Sequence, residues 1–161
     1  MKLAILKKLD KQLGESKKEL QVDIPAALRI ARAHGDLSEN AEYKAAKERQ
    51  MFLQSRISLL QKRISDVTSL NIDRIPKDRS GLGSTLTLND LNSGEEKKYQ
   101  LVFPEDVDPD AGKISPASPI GRALMGKQKG DEVKISLPDN HREFEVIQVI
   151  TIHEDAGEAQ E

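Results

Sequence analysis

The chain is predicted to be α+β, an N-terminal antiparallel helical hairpin followed by a small β-sheet unit with one short helix. Composition divides it: the first 70 residues hold one proline and two glycines, while the rest hold six prolines and eight glycines. Periodicity divides it the same way, with steps of three, four and seven before residue 70 and short β-type runs after it. We place a hairpin at 1–71, a linker at 72–81, a sheet unit at 82–153 and an acidic tail, expected to be disordered, at 154–161.

In the first arm, Leu6, Leu9, Leu13, Leu20, Ile24, Ala27 and Ala31 form a coiled-coil stripe. Pro25 interrupts it, so the helix should kink or restart there, with Asp23 available as a cap. His34 and Gly35 end the arm, glycine supplying the left-handed conformation that closes helices. The second arm repeats the rhythm in Ala46, Leu53, Ile57, Leu60, Ile64 and Val67. Arms of some 30 residues at ~1.5 Å per residue make a rod of roughly 45 Å.

Between the arms, Asp36, Glu39 and Glu42 gather in "HGDLSENAEYKAAKERQ". Asp36 and Glu39 have the spacing of a capping box. They are also hard oxygen donors suited to Mg²⁺, although three acids alone make a weak site that a partner would have to complete. Glu42 could simply favour the positive end of the second helix. Asn40 is read as bracing the turn and Tyr43 as packing on the first arm. Arg32, Lys44, Lys47 and Arg49, taken alone, read as an ordinary solvated face.

Residues 72–81, "IDRIPKDRSG", read as the linker. Beyond them "STLTLNDL" and "KKYQLVF" read as strands joined around Ser93 and Gly94, and Glu132 to Leu137 and Glu143 to Ile152 as two more. Between the pairs, "SPIGRALMG" reads as a short helix opened by Ser118, with Pro119 first and Gly126 closing. Phe103 and Phe144 lie in apolar runs and are expected in the core.

Charge and composition exclude some classes. Twenty-five basic and 27 acidic side chains leave a net charge of −2, without the basic excess of a stand-alone nucleic-acid binder. No cysteine is present, so neither disulfides nor thiolate metal sites contribute. No run approaches the ~18 apolar residues of a membrane span, and the first residues lack a signal-peptide pattern. A cytoplasmic protein is expected.

"HGDLSENAEYKAAKERQ" followed by "RISLLQKRI" resembles the N-terminal signature of the Gre family of bacterial transcript-cleavage factors, and "ISPASPIGRALMGKQKGDEVKISLP" resembles its C-terminal signature. The likeness spans about residues 3–152, with a leader before the first helix a few residues shorter than usual. It implies a monomeric finger that enters the secondary channel of RNA polymerase and stimulates hydrolysis of backtracked RNA, without being an enzyme itself. Asp36 would contact a Mg²⁺ ion held jointly with polymerase, Glu39 would orient or deprotonate water, and Glu42 is a third candidate. Arg32, Tyr43 and Lys47 would lie near the nascent RNA 3′ segment, Tyr43 able to stack on a displaced base and Arg32 and Lys47, with Lys44 and Arg49, to bind phosphate without reading sequence, while Asn40 would support the tip or contact RNA. The sheet unit would be similar to the FK506-binding-protein fold and would dock on polymerase through Ser115, Pro116, Ser118, Pro119 and Ile120. An inhibitory relative that fills the same channel without promoting cleavage is the alternative. A prolyl isomerase or coiled-coil adaptor is further off, because an isomerase pocket would call for more aromatics.

Overall fold

An apolar stripe on each of two successive helices is stable only when the two stripes cover each other, and that pairing builds the first unit. The computed structural model describes residues 2–35 and 40–154, in two compact units, Met1–Leu70 and Asn71–Glu161. In the first, helices α1 (Lys2–Lys18) and α2 (Ile24–Ala33) both pack on α3 (Ala41–Ser69). The pairing is antiparallel. At one end Lys2 Nζ donates to the carbonyls of Thr68 and Leu70, both at 2.8 Å, and at the other Asn40 Nδ2 donates to the Ala31 carbonyl.

The buried seam consists of Ile5, Leu9, Ser16, Ile24, Leu28 and Ala31 against Ala46, Leu53 and Val67. Leu6, Leu13, Leu20, Ile57, Leu60 and Ile64 are half-buried, since each of two paired helices covers only one side of the other. Ala27, expected in the seam, is exposed, and Leu28 takes its place.

Of the kink or restart expected at Pro25, a restart capped by Asp23 does not occur. Asp23 stays helical at φ −73° and ψ −42° and makes no side-chain cap. The chain instead widens into a π turn over Glu19–Asp23, where the Ile24 N–H donates to the Glu19 carbonyl five residues back. A wider turn accommodates a proline without ending the helix. His34 and Gly35 do close the arm, with Gly35 at a φ of 112° that side chains rarely adopt.

The second unit is a five-stranded mixed sheet ordered β3-β2-β1-β5-β4. Strands β1 (Thr85–Asp90), β2 (Glu96–Leu101), β4 (Glu132–Leu137) and β5 (Asn140–Ile150) pair antiparallel, and β3 (Lys113–Ile114) runs parallel to β2. Asp90 turns the first hairpin: its carboxylate accepts the N–H of Asn92 at 2.8 Å and of Ser93 at 3.3 Å. Those donors, the Asn92 N–H foremost, hold its carboxyl below the ordinary range. Leu86, Leu88, Leu101, Ile114, Val133, Ile135, Phe144 and Val146 form the core with Leu124 of α4 (Pro119–Leu124). Phe103 is buried, and Tyr99 packs against this cluster.

Part of the 72–81 segment, expected as a linker, is stitched into this unit. Ser80 is 1% exposed; its hydroxyl donates to the Leu124 carbonyl and accepts the Lys127 N–H at 2.7 Å. His153 Nε2 lies 2.8 Å from the Ile75 carbonyl. Hydrophilic composition reads as linker because these bonds are long-range. Among the described residues, no helix is long and apolar enough to cross a membrane.

Candidate functional site

Helix α3 begins at a polar hinge where one side chain serves both arms. Asn40 sits in extended backbone, its Oδ1 accepting the Tyr43 N–H at 3.1 Å while its Nδ2 reaches the Ala31 carbonyl. The N-cap is therefore Asn40, and the capping-box reading that begins at Asp36 does not describe the start of this helix. Asp36 and Glu39, the acids expected to act, lie outside the described residues. We expect Asn40→Ala to lower thermal stability by roughly 0.5–2 kcal/mol. Asn40→Asp, which keeps the acceptor and loses the donor to Ala31, should recover part of that loss in a parallel melt.

Just beyond the cap, Tyr43 is half-buried against the Ile24, Leu28, Ala46 and Leu53 cluster. The Arg32 guanidinium lies 6.0 Å from its ring centroid and Lys47 Nζ 5.9 Å. The packing role of Tyr43 is thus observed, with one part of the ring packed and two cations gathered around it. Such a cluster offers positive charge and an aromatic surface to a nucleotide segment without reading its sequence. Glu42, in the first turn of α3, is exposed, with His34 Nε2 3.8 Å from its carboxylate. This is a long, solvent-screened contact that contributes little.

Arg49 departs from the phosphate-binding expectation. Its Nε and Nη2 donate to the two Glu19 carboxylate oxygens at 2.7 and 3.0 Å, and its guanidinium lies 4.9 Å over the Phe52 ring. The Arg49 hydrogen bond holds the Glu19 carboxyl below its ordinary range, and Glu19 in turn raises the Arg49 value. Glu19 was not singled out by the sequence. Its signal was the hairpin itself, which sets residues of the first arm against residues of the second.

As to metal, among the described residues no group of three His, Cys, Asp or Glu side chains gathers. The tip carboxylates are the donor type Mg²⁺ accepts, but Glu42 and His34 alone do not make a ligand set.

In the second unit, the five residues expected to dock lie on one cap. Ser118 Oγ accepts the Gly121 N–H at 3.0 Å and donates to the Ser115 carbonyl at 2.7 Å. A Cβ on Gly121 would run into that same carbonyl. Pro119 is exposed, whereas Ser115, Pro116 and Ser118 are half-buried. Ile120 packs on the core, which limits the surface it can offer.

Comparison with known proteins supplies the context. Residues 3–68 match the family described as transcription elongation factor, N-terminal, and residues 75–151 match transcription elongation factor, GreA/GreB, C-term. The chain is 40% identical over 143 residues to transcription elongation factor GreA of Nitratidesulfovibrio vulgaris (strain DP4), covering 89% of this chain and 87% of that protein. It is 38% identical over 149 residues to GreA of Streptococcus gordonii, covering 92% and 93%. A crystal structure of GreA factor homolog 1 of Thermus thermophilus is similar at 30% identity with a TM-score of 0.41, covering 90% of this chain and 94% of that one. With both of its halves matched, the chain belongs to the GreA/GreB family of transcription elongation factors.

Proposed function

We propose that this chain stimulates the intrinsic RNA-cleavage activity of bacterial RNA polymerase, entering the secondary channel hairpin tip first and acting on backtracked nascent RNA. The observation that carries the reading is the Arg32, Tyr43 and Lys47 cluster, with Tyr43 one helical turn and Lys47 two turns past the Asn40 cap and so close in sequence to the acids. In this reading the cations hold RNA phosphate, the Tyr43 ring bears on a displaced base, and Asn40 keeps the two arms together. Asp36 would hold Mg²⁺ with polymerase carboxylates, and Glu39 would orient or deprotonate the attacking water. When bound, the ion stabilises charge on the attacking and leaving oxygens. Ser115, Pro116, Ser118 and Pro119 would dock on polymerase outside the channel, with Ile120 anchoring them to the core. The burial of Phe103 and Phe144 weighs against a prolyl isomerase, which needs aromatics around a substrate.

The test adds the full chain to stalled polymerase complexes carrying end-labelled RNA. Release of 3′ fragments, with resumed elongation, is the expected result. Slower elongation without fragments would identify an inhibitory channel occupant instead.

A further inference from the structure

The first arm contains one residue more than its seam needs. Ile5, Leu9 and Ser16 are buried at coiled-coil steps, but the next buried position, Ile24, comes eight residues after Ser16 rather than seven. A step of seven would turn Asp23, Ala27 and Ile30 toward α3; the structure turns Ile24, Leu28 and Ala31 instead. The surplus residue is stored in the π turn, closed by the Ile24 N–H on the Glu19 carbonyl. The alternative seam would have to accommodate Asp23 but offers two apolar positions beyond it. Ala27 and Ile30 are apolar, and Ile30 stands 61% exposed on the outer face.

Glu19 belongs to both halves of this arrangement. Its backbone closes the π turn, and its carboxylate takes the Arg49 fork from α3, with Arg49 resting on Phe52. Each residue of a helix turns it by about 100°. Moving the stored residue toward the tip would therefore swing α2 by about that angle and carry Arg32 off the Tyr43 ring.

We propose that Glu19 and Arg49 are a positioning pair, which pins the surplus residue at Glu19–Asp23 and so keeps Arg32 beside Tyr43 and Lys47. The effect on cleavage rests on the function proposed above; the effect on register does not.

The test uses the full chain with methyl labels and NMR. In the wild type, Leu28 methyls should show contacts to Ala46 and Leu53. Glu19→Gln and Arg49→Gln should each add contacts from Ile30 to α3 and lower cleavage at saturating factor by roughly tenfold, as misplacement of reacting groups does. The concentration giving half-saturation should change little. The charge-swapped pair Glu19→Arg with Arg49→Glu, and Ile30→Lys added to Glu19→Gln, should both restore the original contacts and the rate. An unchanged Leu28 contact pattern in both single variants overturns the proposal, as does an altered register with undiminished cleavage. If the wild type itself cleaves nothing, the functional reading fails and the NMR contacts alone decide the register.

Discussion

Asp36→Asn should leave the factor bound to polymerase while reducing transcript cleavage by about two orders of magnitude, the scale on which removing a group that stabilises developing charge acts. The amide keeps the shape of the side chain and loses the charge that would attract a cation. Stability should change by less than ~0.5 kcal/mol, because α3 takes its cap from Asn40 rather than from Asp36. A Mg²⁺ titration of cleavage separates metal recruitment from RNA positioning. The wild-type factor should lower the concentration for half-maximal rate, and the variant should lose most of that shift. Superimposable titration curves would reject the metal role and leave Arg32, Tyr43 and Lys47 as the working groups.

Phe144→Ala should be the most damaging single truncation in the sheet unit, costing about 3–5 kcal/mol. The ring is 2% exposed and stands on β5, paired with Val133 on β4 and Asp90 on β1, in a cluster with leucines of β1 and β2. A loss of that size removes much of the ~5–15 kcal/mol that a small domain possesses. Urea unfolding with matched slopes would measure it. A shift below ~1 kcal/mol would mean that the cavity collapses around its neighbours and that this cluster is less closely packed than its burial implies.

Regular elements were readable because each has a period. Both arms announced themselves through Leu9, Ile24, Ala46 and Leu53, and the β1–β2 hairpin through its alternation and the Ser93-Gly94 turn. What escaped was set by contacts between distant segments. Pro25 pointed to a break, yet the neighbouring π turn lets the helix continue, and the displaced seam exchanged Ala27 for Leu28. Asp36 and Asn40 are both good caps by residue type, and only the start of α3 separates them. Strand β3 is two residues long and carries no periodic signal at all. The second long strand of the far hairpin starts at Asn140, three residues before the apolar run suggested, because pairing with β4 extends it.

At the candidate site, residue types near the tip were legible from the motif, but the partnerships were not. Arg32, Tyr43 and Lys47 come together because α2 and α3 are adjacent in a given register. The same register gives Arg49 to Glu19, which occupies its guanidinium within the hairpin. Ser80 similarly looked like linker until its bonds to Leu124 and Lys127 were visible.

The strand order bears on how the protein avoids aggregating. With β3 pairing only to Gln100 and Leu101, the outer edge of β2 extends past its neighbour along Glu96, Lys97 and Lys98. An edge of that kind is a template for strand addition by another chain, and charged side chains are the usual deterrent. The opposite edge, β4, carries Glu132 and Lys134, both exposed, with Lys134 Nζ 3.7 Å from Glu143 of the neighbouring strand. A second copy approaching either edge would have to desolvate these charges to gain backbone hydrogen bonds. Charges along both edges thus raise the cost of pairing with a second copy.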